Sequence, residues 1–266
     1  MAYKLIAIDL DDTLLNSSLE ITPRVKNAVI KAAESGIYIV LCTGRILKGS
    51  RRFHEALGLK SAMITTGGAE IYDEDGSCMF RRTVDPAIVK ELLAFAMEQG
   101  VHFQVYIDGD LVYREENKYI GGYKKANAIT GVVMPNLLEL DEIHTPKLLL
   151  ISDPERMDDL QETAKKRFPM LNITRSKPIY LEFSSPGISK GDALMFVADY
   201  YDVKREEIIA IGDAEIDVPM IKAAGLGVAM ANATPITKQA ADYICPSNDE
   251  DGVAHVIEKF VPEAFE

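Results

Sequence analysis

Asp9-Leu10-Asp11-Asp12-Thr13 follows directly on the apolar run Leu5 to Ile8. A compact apolar run of that length reads as a buried strand. Side chains two apart on an extended chain point the same way, so Asp9 and Asp11 are expected to face one space at the end of that strand. Open α/β sheets bind ligands at the C-terminal ends of their strands. Two carboxylates there can divide labour. One attacks phosphorus as nucleophile, and the other protonates the leaving oxygen and then activates water. Acidic residues at a strand end can also form a plain solvated turn. The paired spacing after a buried first strand favours chemistry.

Three further clusters suit the same reaction. Thr43-Gly44-Arg45 ends the second apolar run. A hydroxyl and backbone N–H groups at a strand-to-helix turn suit a phosphate oxygen, although Thr-Gly is also a common turn. Lys190 sits at the start of a predicted helix, where the helix dipole disfavours a cation. A surface lysine is the ordinary reading, but an acidic site needs such a charge to hold phosphate. Gly212-Asp213-Ala214-Glu215-Ile216-Asp217 follows a third apolar run. Magnesium commonly takes one or two carboxylates plus substrate phosphate and water, so Asp213 can complete a site with Asp9. N-capping accounts for one of Asp213 and Asp217 more readily than for both.

The elements that must carry these residues alternate. Strands are expected at Leu5 to Ile8, Ile37 to Cys42 and Ala62 to Thr65, with helices from Thr22-Pro23 to Ala33 and up to about Leu57. Glu70 to Tyr72 and Met79 to Arg82 read as a hairpin around Asp73-Glu74-Asp75-Gly76. This order implies a parallel, doubly wound sheet. The middle differs. A helix from Asp85-Pro86 to Gln99 precedes a hairpin, a polar stretch to about Pro135, a strand at Lys147 to Ile151, a helix to Phe168 and an antiparallel pair. After Ser184-Ser185-Pro186-Gly187 the alternation resumes, with a helix at Lys190 to Tyr201, a strand at Ile208 to Ile211 and a helix at about Ile216 to Ala224. The expected fold is therefore an α/β, Rossmann-like core (1–82 and 187–266) with an inserted α+β module (83–186).

The chain has 266 residues, 47% apolar and 26% charged, with a formal net charge of −12. That balance is globular, and its acidity argues against a nucleic-acid partner. Long-range repulsion of an anionic substrate makes local positive charge necessary. Cys42, Cys78 and Cys245 are too scattered for a disulfide framework or a zinc site. The first apolar run is too short for a signal peptide or a membrane span, and a cytoplasmic location is the default expectation.

Together, in this order, the four clusters resemble the haloacid dehalogenase-like superfamily, and most closely the Cof-type sugar-phosphate phosphatases, which carry a large α/β cap. The likeness runs through the inserted module to Val228-Ala229-Met230-Ala231-Asn232-Ala233. It implies Asp9 as nucleophile and Mg2+ ligand, and Asp11 as general acid/base with a further metal contact through its carbonyl. It implies Asp213 as third metal ligand and Asp217 as a partner behind it. Thr43 and Lys190 look like phosphate binders, with backbone N–H groups from Leu10 and Gly44, and Arg45 and Asn232 as further substrate or phosphate contacts. The inserted module would close over the site and select a small phosphorylated metabolite. A phosphomutase or phosphotransferase would share every motif. A dehalogenase would lack the second aspartate, and a non-catalytic binder would have little use for the intact set.

Three positions depart from the pattern. Asp12 stands where Gly is common, and Gly67 and Ile216 stand where Asn is usual. A helix starting near Asp213 would turn Ile216 towards the phosphate pocket. A start at Asp217, which Pro219 suggests, would make Ile216 core.

Overall fold

The structure is a computed structural model that describes residues 3–127 and 129–266. In chain order its elements are β1 (Leu5–Ile8), α1 (Pro23–Glu34), β2 (Tyr38–Cys42), α2 (Leu47–Ala56), β3 (Met63–Thr65), β4 (Glu70–Tyr72), β5 (Cys78–Arg81), α3 (Pro86–Gln99), β6 (His102–Ile107), β7 (Asp110–Tyr113), α4 (Lys118–Asn127) and β8 (Val132–Val133). Then come β9 (Lys147–Ile151), α5 (Met157–Arg167), β10 (Asn172–Lys177), β11 (Tyr180–Ser184), α6 (Lys190–Tyr200), β12 (Ile208–Gly212), α7 (Val218–Ala223), β13 (Leu226–Met230), α8 (Pro235–Ala240), β14 (Tyr243–Cys245) and α9 (Gly252–Phe260). The chain divides into two compact units. One comprises Met1–Arg45, Ser50–Phe80 and Ser189–Glu266, and the other Ile46–Gly49 and Arg81–Ile188.

In the first unit the strand order is β14-β13-β12-β1-β2-β3-β4-β5. The strands from β14 to β3 run parallel, and β4 turns back against β3. β1 lies between β12 and β2, with Ile8 opposite both Ile211 and Leu41. Continuous apolar runs suit strands covered on both faces, and every residue of β1 and β12 is buried. Leu5, Ala7, Val40, Cys42 and Ala210 pack under Leu194 and Val197 of α6 and Met220 of α7. α1 packs on α9 and touches β2. Thr22 caps α1, its hydroxyl accepting from the Val25 N–H, and Pro23 supplies the first helical φ. The result is the α/β, Rossmann-like arrangement expected of the alternation.

The second unit is a six-stranded sheet of order β10-β11-β9-β6-β7-β8. It is antiparallel except for the β7–β8 pair. α3 and α5 bring Leu92, Phe95, Ala164 and Met157 into one core with Phe103, Leu148, Leu150 and Phe183. The polar stretch read from sequence after Arg114 contains the helix α4. Gly121 and Gly122 weaken its local helical signal. Its support is a local cap together with non-local packing. The Asn117 side chain accepts from the Tyr119 and Ile120 N–H groups, and Ile120 and Tyr123 are buried. The helix expected at about Ile216 begins later, because residues Glu215–Asp217 form a separate short turn before Val218.

Candidate active site

β1 hands its last pairing to Asp9, whose N–H donates to the Ile211 carbonyl at 2.9 Å. The extended alternation then stops. Leu14 N–H donates to Asp9 O and Leu15 N–H to Leu10 O, at 3.2 and 2.9 Å, closing one wide turn over Leu10–Leu14. Asp12 takes a left-handed φ of 57° within it. Glycine adopts that conformation freely, and aspartate is among the few other residues that tolerate it. Its presence where Gly is common therefore leaves the turn intact. The Asn232 amide pins the turn, donating to Asp12 O at 2.8 Å while its oxygen accepts from Asn248 N–H at 3.1 Å. Asn232, expected at the phosphate, here ties loops together.

Lys190 is wholly buried, against the ordinary expectation for a lysine. Its Nζ donates to Asp9 Oδ1 and to Asp217 Oδ1, both at 2.5 Å. Ser189 caps α6 and places the lysine in its first turn. The turn at Thr66–Gly68 packs directly on that helix start. Gly68 has φ +101°, and a Cβ there would lie 2.4 Å from Ser189 O, so only glycine fits. Asp217 is fully engaged. Its other oxygen accepts from the Asp213 and Ala214 N–H groups, each at 3.0 Å. Asp213 Oδ1 accepts from the Thr13 hydroxyl at 2.9 Å. Thr13 closes the first motif, yet nothing local in the sequence shows that it reaches Asp213.

Thr43 is buried, and its hydroxyl accepts from Arg45 N–H at 3.0 Å. A Cβ on the neighbouring Gly44 would meet no atom within 4 Å, so packing does not demand glycine there. Leu10 is buried behind Asp9. Arg45 forks onto Asp11, with Nε on Oδ2 at 2.8 Å and Nη2 on Oδ1 at 2.5 Å. Ile216 is 43% exposed, which corrects its reading as core. Its Cδ1 lies 3.3 Å from where a Gly67 Cβ would stand, so two departures from the usual pattern are neighbours. In the second unit, Lys118 pairs with Asp153 and Lys124 with Glu116, at 3.1 and 2.6 Å.

Among the described residues, Asp9, Asp213 and Asp217 form the one group whose ligand atoms all lie within 4.8 Å of one another. The ligand set expected from the sequence is Asp9 and Asp213 with the Asp11 backbone carbonyl. The Asp217 side chain, expected behind Asp213, stands within the same group. Three carboxylates around one ammonium leave a negative balance. Burial, then the Asp217 charge, raise the Asp9 carboxyl well above its usual range against the pull of Lys190. Burial and Asp217 likewise push Asp213 up to about 7, with the Thr13 hydrogen bond opposing. Burial acts to lower Lys190, but the Asp217 and Asp9 carboxylates outweigh it and hold the ammonium charged.

The Asp213 shift has a consequence for the metal-free protein. A carboxyl whose pKa rises on folding stabilises the fold fully below its unfolded value, and that contribution is lost as pH climbs through the folded value. For Asp213 the window runs from 3.8 to about 7, and the loss is at most about 4 kcal/mol. In excess chelator, Asp213→Asn should therefore be more stable than the wild type at pH 8 and not at pH 4. Urea unfolding at both pH values would measure this, and identical pH slopes in the two proteins would refute it.

Comparison with known proteins agrees with this geometry. Residues 6–257 match the haloacid dehalogenase-like hydrolase family. The chain is 33% identical over 258 residues to the 5-amino-6-(5-phospho-D-ribitylamino)uracil phosphatase YcsE of Bacillus subtilis (strain 168), covering 97% of this chain and 96% of that protein. It is 30% identical over 281 residues to phosphatase YwpJ of the same strain, covering 96% and 98%. A haloacid dehalogenase-like hydrolase from Bacteroides thetaiotaomicron superposes with a TM-score of 0.90 at 32% identity, over 97% of this chain and 99% of that one. The chain belongs to the haloacid dehalogenase-like hydrolase family and, within it, to the phosphatases.

Proposed function

We propose that the chain is a magnesium-dependent phosphomonoesterase that hydrolyses a small phosphorylated metabolite, a sugar phosphate or similar, through an aspartyl-phosphate on Asp9. The observation that carries this reading is the buried Asp9 carboxylate at the head of a central parallel strand, gripped by Lys190 at 2.5 Å. The carboxylate group around it suits a hard divalent cation, because its oxygen donors are close and its buried charge is under-neutralised. Asp9 and Asp213 would hold Mg2+, with the Asp11 carbonyl as a further donor, while Asp217 keeps its oxygens on Lys190 and two N–H groups. Bound there, the ion offsets charge on the phosphoryl oxygens.

The chain's own groups supply the rest. An Asp9 oxygen attacks phosphorus in line, and the bond from phosphorus to the ester oxygen breaks. Asp11 gives its proton to that oxygen, and the alcohol leaves. Asp11 then takes a proton from water, the hydroxide attacks phosphorus, and the bond to Asp9 breaks to release inorganic phosphate. Lys190 holds Asp9 in place and offsets charge, with Thr43 and the N–H groups of Leu10 and Gly44 beside the phosphate. The three free cysteines, two of them buried, suit a reducing, cytoplasmic setting. No helix among the described residues is long and apolar enough to cross a membrane.

A panel of phosphomonoesters tests the reading, and 5-amino-6-(5-phospho-D-ribitylamino)uracil belongs in it because a relative's name carries that substrate. Released phosphate should require magnesium, vanish in excess chelator and return when the ion is restored. Full activity in chelator would overturn the metal assignment. An isomerised sugar phosphate without free phosphate would make the enzyme a mutase.

A further inference from the structure

We propose that Arg45 is a positioning residue for Asp11: its guanidinium fork holds the Asp11 carboxylate in the orientation from which it serves the leaving group and then water. The inference rests on the assignment of Asp11 as acid/base made above. Its ground is the asymmetry of the pair. The Arg45 side chain is 8% exposed and the Asp11 side chain 44%. Two N–H groups reach two oxygens, at 2.8 and 2.5 Å, and such a fork fixes the plane of a carboxylate as well as its distance.

Arg45 is itself held from three directions. Its backbone N–H donates to the Thr43 hydroxyl at 3.0 Å. Its carbonyl accepts from Thr66 N–H at 2.8 Å. Its guanidinium lies 5.6 Å from the centre of the Phe53 ring. An exposed ion pair between two mobile side chains would add little order. Here a nearly buried, three-point-anchored arginine meets a half-exposed aspartate, so the arginine dictates where the carboxylate sits. The Asp11 carboxylate is not part of the group formed by Asp9, Asp213 and Asp217. A lysine at 45 would keep the charge and lose the fork.

The test compares Arg45→Ala, Arg45→Lys, Asp11→Asn and the Arg45→Ala/Asp11→Asn double variant with the wild type. Rapid quench with magnesium reads the rate at which each protein's Asp9 is phosphorylated by p-nitrophenyl phosphate, whose leaving group needs no proton, and by a hexose 6-phosphate, whose leaving group does. Arg45→Ala should lower the phosphorylation rate with the hexose phosphate by about 10²-fold, the scale of a misplaced catalytic group. It should lower that rate on the aryl ester by only a few-fold, leave KM nearly unchanged on both, and slow the later hydrolysis of the intermediate alike for both. Arg45→Lys should recover part of the loss. The double variant should be no slower than Asp11→Asn alone, because the arginine then has no acid/base to position. Equal losses on the two esters, a loss confined to KM, or losses that multiply in the double variant would overturn the inference. If Asp11→Asn itself harms both esters equally, the acid/base assignment fails. If Asp11→Asn discriminates between them and Arg45→Ala does not, the positioning role alone fails. Melting temperatures of Arg45→Ala and Arg45→Lys separate a general loss of fold, which would depress both esters together.

Discussion

Asp9→Asn should leave essentially no turnover of any phosphomonoester, a loss on the order of 10⁶ in kcat, as seen when a covalent nucleophile is removed. The amide cannot attack phosphorus, so no acid-quenched phosphoryl label should remain on the protein. The structure adds a control. The change deletes one of three carboxylates packed within 4.8 Å, and Lys190 keeps its bond to Asp217 at 2.5 Å. Repulsion inside a buried site falls, so the metal-free variant should melt no lower than the wild type. Inactivity with an unchanged or raised melting temperature locates the effect in chemistry. A variant retaining several per cent of wild-type turnover would remove Asp9 from the mechanism.

Asp11→Asn should reduce turnover by about 10²–10⁴-fold, the usual contribution of a positioned acid or base. The phosphoryl-transfer step should lose rate in a graded way, most for alkyl and sugar phosphates and least for aryl phosphates, which depart without a proton, while hydrolysis of the intermediate slows for all of them. The intermediate on Asp9 should still form with an aryl ester and then persist, because no base remains to activate water. Rapid-quench measurement of phosphate release would show a burst followed by a slow phase. Equal losses across leaving groups, without a burst, would count against Asp11 as the acid/base.

The two predictions differ in how far the sequence anticipates them. Asp9 is legible from its setting. A strand of four apolar residues must be buried, its C-terminal end must open where the flanking helices begin, and the next residue stands at that opening. The same local reasoning reaches Thr43, at the end of β2, and Asp213, directly after β12. The helix starts at Thr22-Pro23, Asp85-Pro86 and Ser189 are local too, because a cap and a fixed φ act within one turn.

What local pattern does not contain is the partner of each charged group. The ordered motifs imply that Lys190 binds phosphate, but only the fold shows it reaching Asp9, 181 positions away, and Asp217, 27 positions away. A buried ammonium must be paired with a carboxylate, and neither pairing leaves a mark in the neighbouring residues. Strand alternation suggested that Asp9 and Asp11 share a space, but the wide turn after Asp9 sends Asp11 to Arg45 and leaves Asp217 to complete the carboxylate group. Asn232 clamps a loop, and Ile216 lies exposed beside Gly67, for the same reason. Periodicity and caps act over a few residues and so specify which elements form and which residues stand at their ends. The identity of each side chain's neighbour depends on long-range packing, and that settles which carboxylate is buried, which is forked and which titrates.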